Sequence, residues 1–163
     1  MTVRCLLTFR SDLGDDGVLT EDRHEFLQWP GRLHAAVAAE KLRALGWQVS
    51  EPIDMQVVGW ELNAAMGRKP IWLRVEVVDE IILMLEDLKP ERTWYLARKP
   101  PGPVFTGMLT ALDAALRADG RFHDLRWFTD KEYECSAPGA PTPVSEIAEM
   151  AGYVAPPPPT EHP

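Results

Sequence analysis

The first residues that suggest chemistry form an acidic segment, residues 11–25, with the sequence SDLGDDGVLTEDRHE. Aligned with the calcium-binding loop of an EF-hand from Asp12, the segment places Asp16 and the turn glycine Gly17 at two of the expected positions. Arg23, however, stands where the motif requires a bidentate glutamate. The segment is therefore better interpreted as a solvated loop than as a calcium site.

The carboxylates of this segment also suit recognition of a basic protein, because complementary charge steers two proteins toward each other. The side chains expected to contact such a partner are Asp12, Asp15, Asp16, Glu21 and Asp22. The apolar residues that follow are expected to pin the segment to the body of the domain; they are Phe26, Leu27 and Trp29.

The histidines and cysteines do not complete a catalytic or metal motif. His24 to Gln28 resembles the HExxH zinc motif but ends in glutamine, so one helix face offers a single imidazole. Glu21 and His24 have the Glu-x-x-His spacing of a di-iron half-site, but the second half-site is missing. Cys5 lies in an apolar strand, where cysteine is usually inert packing. We therefore expect no metal, no cofactor and no catalytic residue.

Trp72 is the aromatic residue whose position best suits recognition. In residues 69–88 (KPIWLRVEVVDEIILMLEDL) it alternates onto the face that carries Arg74 and Glu76, away from the apolar positions of the same strand. Met84 is expected opposite Arg74, and Trp, Met and Arg are enriched in the cores of protein interfaces. If helices cover only the other face, Trp72, Arg74 and Met84 form an exposed patch, although a second layer of loops would bury it equally well.

The same stretch predicts a β-hairpin and its register. Apolar and polar residues alternate in the first strand, and the second strand, Ile81–Glu86, is apolar on both faces. A three-residue loop, Val78–Glu80, gives one continuous apolar face, whereas a two-residue loop would set Glu76 opposite Leu83. The register expected from the longer loop pairs Val77 with Ile81, Val75 with Leu83 and Leu73 with Leu85.

Two helices and several further strands accompany the hairpin. Strong helix formers predict a helix from Arg32 to Leu45, ended by Gly46. Pro103 suits the first turn of a second helix, whose apolar residues recur at helical spacing up to Leu116. The remaining predicted strands are Val3–Phe9, Trp47–Val49, Met55–Leu62 and Leu125–Phe128, and a further short strand is expected at Thr93–Ala97. These elements predict an α+β fold, a two-layer sandwich in which a mostly antiparallel sheet of about five to six strands carries two main helices on one face.

The composition changes at Ser136, which sets the predicted domain boundary. Eight of the chain's 15 prolines lie in residues 136–163, and this segment has no lysine or arginine. Residues 1–135 are therefore predicted to form a single α+β domain, and residues 136–163 a disordered, proline-rich tail. Within the tail, residues 145–154 have the pattern of a short capped helix, which suits either local packing or a docking peptide.

Length and charge limit the classes of function. The 163 residues suffice for one domain, and 25 acidic against 17 basic residues give a net charge of −8. Such a field repels nucleic acid and anionic membranes and favours basic partners. The two cysteines are far apart, and no apolar run is long enough for a signal-peptide core or a membrane span. A cytoplasmic location is therefore expected.

Two hypotheses for the function follow from these features. In the first, the protein is a non-enzymatic binding module that masks a basic protein partner. Bacterial immunity proteins and acidic secretion chaperones are similar in size, charge and α+β content, without a shared motif. In the second, the protein is a small enzyme or ligand-binding domain whose site assembles only in the fold, with His34, His123 and the acidic segment as parts. The absence of a catalytic motif favours the first, and a homodimer through an edge strand or the open sheet face is compatible with it.

Overall fold

The structure, a computed structural model, describes residues 1–22, 24–88 and 101–145. Strands dominate these ranges. Within these ranges the strands are β1 (Thr2–Val3), β2 (Leu6–Ser11), β3 (Val18–Leu19), β4 (Phe26–Gln28), β5 (Gln48–Val49), β6 (Ile53–Asp54), β7 (Trp60–Met66), β8 (Lys69–Val77), β9 (Ile81–Asp87), β10 (Phe122–Phe128) and β11 (Val144–Ser145). The helices in the same ranges are α1 (Arg32–Ala44), α2 (Pro103–Arg117) and α3 (Asp130–Glu134).

Seven of the described strands form one antiparallel sheet. Its order is β10-β2-β9-β8-β7-β5, and β6 also pairs with β7. Together with the helices, this sheet confirms the predicted α+β class and its mostly antiparallel arrangement. The strand number exceeds the predicted one because the two-residue strand β6 was not predicted.

The β8–β9 hairpin has the predicted register. Val77 pairs with Ile81, and the alternating pairs continue in step along both strands. The Val78 N–H donates to the Glu80 carbonyl (3.1 Å), which closes the three-residue loop. Alternation turns four paired residues of the hairpin to one face, and all four are buried in the core: Leu73, Val75, Leu83 and Leu85. The observed pairs confirm the predicted register. A shift by one residue would expose this apolar row, which is why the pattern specifies the register.

The two long helices cover one face of the sheet. α1 has the expected glycine, Gly46, in the left-handed conformation just beyond its end (φ 88°). α2 begins at Pro103, whose fixed φ suits the first helical position. Both helices pack with the inward-facing sheet residues into one core, which includes Leu42, Leu73, Leu83, Phe105 and Trp127. None of the described helices has the length and apolar character that crossing a membrane requires.

The short helix α3 lies on the opposite face of the sheet. Thr129 and Glu132 form a capping box at its start, so two backbone N–H groups are satisfied there. Tyr133 packs against a small apolar cluster on this face, which contains Leu6, Ile82 and Phe128. The Glu132 carboxylate accepts two 3.0 Å hydrogen bonds from the buried Arg4 guanidinium. This ion pair ties α3 to the start of the chain.

The predicted strand Met55–Leu62 is wrong in its first half. The strand begins at Trp60, and before it the chain turns, with the Met55 N–H donating to the Gly59 carbonyl (3.0 Å). Gly59 has φ 127°, and a Cβ on it would lie 2.2 Å from the Val75 carbonyl oxygen of β8. Only glycine permits this conformation and this approach, so the turn interrupts the strand pattern that the apolar residues suggest.

Residues 136–145, which the composition assigns to the tail, pack on the domain. Ala140 is buried and exchanges two 2.8 Å backbone hydrogen bonds with Trp127. β11 pairs with β1, and the Pro143 carbonyl accepts a hydrogen bond from the Arg4 N–H (2.8 Å). Proline lacks an N–H but keeps its carbonyl, so a proline-rich segment can still complete backbone pairing. The remainder of the predicted tail and of the predicted helix lies outside the described residues, as does the predicted strand Thr93–Ala97.

Candidate functional site

The face of the sheet opposite α1 and α2 is covered in part by α3, whose Tyr133 packs on the same small apolar cluster as Met84, and its open part carries the predicted recognition residues of the hairpin. Alternation along β8 turns Trp72 and Arg74 to this face, while the residue between them is buried in the core. The register sets Met84 of β9 opposite Arg74. Glu61 of β7 lies opposite Arg74 on its other side. The structure thus places Trp72, Arg74 and Met84 together on one face.

The side chains around Trp72 hold one another in a defined arrangement, and we call Glu61, Trp72, Arg74, Glu76 and Met84 the Trp72 cluster. The indole Nε1 donates to Glu61 Oε2 at 3.0 Å. The Arg74 Cζ lies 5.6 Å from the centroid of the indole ring, within range of a cation–π contact. Arg74 Nη2 lies 3.2 Å from Met84 Sδ, and Arg74 Nε lies 2.7 Å from Glu76 Oε1. The last contact is an ion pair without a hydrogen bond, because the Nε–H is not aligned with the carboxylate.

Acidic groups outnumber basic groups in and around the Trp72 cluster. Glu61 and Glu76 flank the Arg74 guanidinium, and the exposed Glu86 lies opposite Trp72. The side chains of Arg74 and Glu76 are 27% and 14% exposed. Salt screens such partly buried charges less than fully exposed ones. The cluster therefore presents an aromatic, sulfur-containing surface with a surplus of negative charge.

Asp16, one of the predicted partner-binding acids, instead caps helix α1. Its Oδ1 accepts a hydrogen bond from the Gly31 N–H at 2.6 Å, and its Oδ2 accepts one from the Leu33 N–H at 2.7 Å. Its backbone carbonyl accepts a further bond from Gln28 Nε2 (2.6 Å). The N-cap residue Gly31 has no side chain that could serve these donors. A carboxylate supplied from a distant loop therefore satisfies the first turn of the helix.

The other predicted acids lie at the surface, with mostly local contacts. Asp12 Oδ2 lies 2.9 Å from His123 Nε2 of β10. Asp15 accepts a hydrogen bond from the Gly17 N–H (2.8 Å), and Asp22 accepts one from the Thr20 hydroxyl. Asp22 also accepts from a backbone N–H, and the bond from the Thr20 hydroxyl is the main cause that lowers its pKa. Glu21 is exposed.

The structure separates the predicted residues into two groups. The acidic segment is attached through Asp16 to α1, and α1 packs on the covered face of the sheet. The Trp72 cluster lies on the opposite face. These two groups cannot form a single small-molecule site, although a protein partner could contact either of them.

The hairpin β3–β4, which begins in the acidic segment and ends just after it, exposes apolar side chains that the sequence pattern did not identify as a surface. Leu27 is 68% exposed, so the expectation that it pins the segment to the domain is wrong. Phe26 packs its ring on Trp29 with centroids 4.6 Å apart, and it is still 39% exposed. The period-two pattern of apolar residues could not reveal this exposure, because the two strands pair only with each other among the described residues.

The histidines and cysteines of the described ranges do not form a metal-binding group. No set of three or more His, Cys, Asp or Glu side chains there is arranged to hold a metal ion. His34 is buried, and neither ring nitrogen has a hydrogen-bond partner among the described residues. Burial lowers the pKa of His34, an effect that the nearby Asp16 carboxylate partly offsets. Burial raises the pKa of the Cys5 thiol to about 11, so this cysteine is not a nucleophile at neutral pH.

Comparison with protein-family models, with curated proteins and with solved structures finds no match to this chain.

Proposed function

We propose that this protein is a non-enzymatic module of the cytoplasm that binds a basic protein partner and masks it. The observation that carries the proposal is the Trp72 cluster, an ordered group of side chains left half-exposed on the open sheet face. The two cysteines, Cys5 and Cys135, lie far apart in the sequence and indicate no disulfide framework, which supports a cytoplasmic location, because thiols stay reduced in that compartment.

The residue types of the Trp72 cluster support binding of a protein surface. Trp, Arg and Met are enriched in interface cores, and Trp and Arg dominate the residues whose truncation weakens binding most. Trp72 and Met84 are half-buried in the free protein, so each keeps apolar surface available for a partner. A flat sheet face with a central indole offers the partner an anchor point rather than a deep cavity.

The internal contacts of the cluster favour tight binding. Ordering side chains on association costs free energy, and these side chains are already ordered in the free protein. The Trp72 indole is already oriented by the hydrogen bond to Glu61. The Arg74 guanidinium already stacks on the ring and contacts Met84. A partner would therefore meet a preformed surface, and little side-chain entropy would remain to be lost.

Charge points to a basic partner. Three glutamates lie in or beside the cluster around one arginine, and the whole chain carries a net charge of −8. A cationic side chain placed near the indole would gain from both the carboxylates and the ring. In the proposed role the bound partner is kept inactive or unassembled, as in immunity proteins and secretion chaperones.

Affinity capture from a lysate of the source organism tests the proposal. The bait proteins are the wild type, Trp72→Ala and the control Val104→Ala, which changes an exposed α2 side chain. We expect one basic protein to be retained at about 0.05 M NaCl and weakly at about 0.5 M NaCl. With the purified partner, Trp72→Ala should weaken the affinity about 30-fold or more, as for an interface hot spot, whereas Val104→Ala should change it little.

Trp72→Phe controls for loss of folding, because it keeps an aromatic ring under Arg74 while removing the N–H bond to Glu61 and part of the apolar surface of the indole. It should retain the thermal stability of the wild type more closely than Trp72→Ala and show an intermediate affinity. Equal affinity of wild type and Trp72→Ala for every retained protein would contradict the proposal. Recovery of only the protein itself would also contradict it and would direct the search to small ligands, measured by thermal shift.

A further inference from the structure

We propose that the β3–β4 hairpin is a separate docking surface that binds a basic protein segment carrying apolar side chains. The hairpin comprises Val18–Leu19 and Phe26–Gln28, which form a two-stranded sheet of their own. It lies on the α1 side of the molecule, away from the Trp72 cluster. The inference shares the expectation of a basic partner with the proposed function and is tested through different residues.

Exposed apolar side chains are concentrated on this hairpin. Their exposed fractions are 46% for Val18, 43% for Leu19, 39% for Phe26 and 68% for Leu27. Single apolar residues on a surface are ordinary, but a group of them within one small element marks a contact surface. Leu19 and Phe26 are directly paired across the two strands, so their side chains share one face of the hairpin.

The hairpin is held in position by a few contacts at its base. Asp16 binds the backbone of Gly31 and Leu33, and Gln28 binds the carbonyl of Asp16. The Phe26 ring rests on Trp29. An isolated two-stranded hairpin is only marginally stable, so these contacts fix its orientation. They leave the apolar side chains beyond the base free for a partner.

Exposed carboxylates lie in the same stretch of chain as the apolar side chains and select the occupant. The exposed acids of this region are Asp15, Glu21, Asp22 and Glu25. The hydrogen bond from Thr20 lowers the pKa of Asp22, so this group stays ionised at neutral and mildly acidic pH. These acids attract cationic side chains and repel a second copy of the chain and anionic lipid. A basic segment with interspersed apolar side chains matches both features.

Fluorescence anisotropy with labelled synthetic peptides tests this inference. The probe is a short peptide of alternating lysine and leucine, and the controls alternate glutamate with leucine and lysine with serine. The lysine–leucine peptide should bind at about 0.05 M NaCl and bind more weakly at about 0.5 M NaCl. Both control peptides should bind at least about tenfold more weakly, because each lacks either the charge or the apolar contact.

Variants assign the binding to the hairpin. The double variant Leu19→Ser/Leu27→Ser should weaken binding of the lysine–leucine peptide at least about tenfold, since two exposed apolar contacts are removed. Val104→Ser removes an equally exposed side chain from α2 and should have no effect. Peptide binding that the double variant retains and Trp72→Ala removes would belong to the Trp72 cluster, so failure of the hairpin proposal and failure of the proposed function give different results.

Three results would overturn the inference. One is equal binding of the peptide by the double variant and by Val104→Ser. The second is binding of the wild type, but not the double variant, to neutral phosphatidylcholine vesicles in place of the peptide, which would make the hairpin a membrane contact. The third is self-association in sedimentation experiments that the double variant abolishes, which would make the hairpin an interface between two copies of the chain.

Discussion

Replacing Asp16 by alanine should destabilise the fold, because this acid is a helix cap. The carboxylate serves the N–H groups of Gly31 and Leu33 at 2.6 and 2.7 Å. Both groups belong to the start of α1, where backbone N–H groups have no partner within the helix. Gly31 cannot replace the lost acceptor because it has no side chain. The substitution therefore leaves two donors to water and frees the base of the acidic segment.

The expected loss is about 2 kcal/mol. Removing a capping side chain costs about 0.5–2 kcal/mol. Removing a negative charge from a helix N-terminus adds about 0.3–1 kcal/mol. Asp16→Asn keeps one acceptor oxygen but loses the charge and the second acceptor, so it should cost about half as much. For a domain of this size, 2 kcal/mol corresponds to a decrease in the melting temperature of about 4–8 °C.

Urea unfolding followed by tryptophan fluorescence measures the effect, with thermal unfolding as a second assay. The matched control is Asp15→Ala, which removes the neighbouring acid and only the local bond to the Gly17 N–H. This control should change the free energy of unfolding by no more than about 0.5 kcal/mol. Equal stability of Asp16→Ala and Asp15→Ala would refute the capping role and return Asp16 to the set of free surface acids.

Two further predictions concern buried charge. The Arg4 and Glu132 side chains are only 2% and 12% exposed, so Arg4→Met should lower the free energy of unfolding by about 3–5 kcal/mol in urea experiments, and adding Glu132→Met should restore part of it. Although burial alone would raise the pKa of Glu132, hydrogen bonds from Arg4 and Thr129 hold that pKa below its ordinary value. The stability from this pair is therefore complete above about pH 4.3 and is lost as the pH falls through the lowered pKa. A difference in the free energy of unfolding between wild type and Arg4→Met that does not change with pH in this range would contradict this. Because burial lowers the pKa of His34, the unfolded chain binds the proton more readily, and stability should fall by up to about 1.4 kcal/mol per pH unit below about pH 6.5. His34→Leu should remove this part of the slope, and equal slopes for the two proteins would show that His34 is not responsible.

Local patterns predict much of the fold and one part of the candidate site. The alternation in residues 69–88 sets the β8–β9 register, and with it the position of Met84 opposite Arg74. Pro103 and Gly46 mark a helix start and a helix end through their own backbone preferences. Each of these signals depends on a residue and its near neighbours, so the sequence suffices to locate it.

Contacts between distant residues decide the rest. Glu61 joins the Trp72 cluster because β7 pairs with β8, and the predicted strand in that region began too early to show this pairing. The late start of β7 follows from Gly59, whose close approach to β8 is not visible in the strand pattern. Sequence patterns describe one strand at a time, and the neighbour that a strand meets is a property of the assembled sheet.

By itself, the sequence determined the α+β class, the central hairpin, the two long helices and the acidic character of the molecule, because periodicity, turn residues and charge are local or additive properties. Only the tertiary structure decided that Asp16 caps a helix whose first turn lies 15 to 17 residues away, and that Arg4 is buried against a carboxylate 128 residues further along the chain. It also decided that the apolar residues of β3 and β4 stay exposed. Burial and pairing depend on which surfaces meet after folding, and a single chain segment does not encode that information.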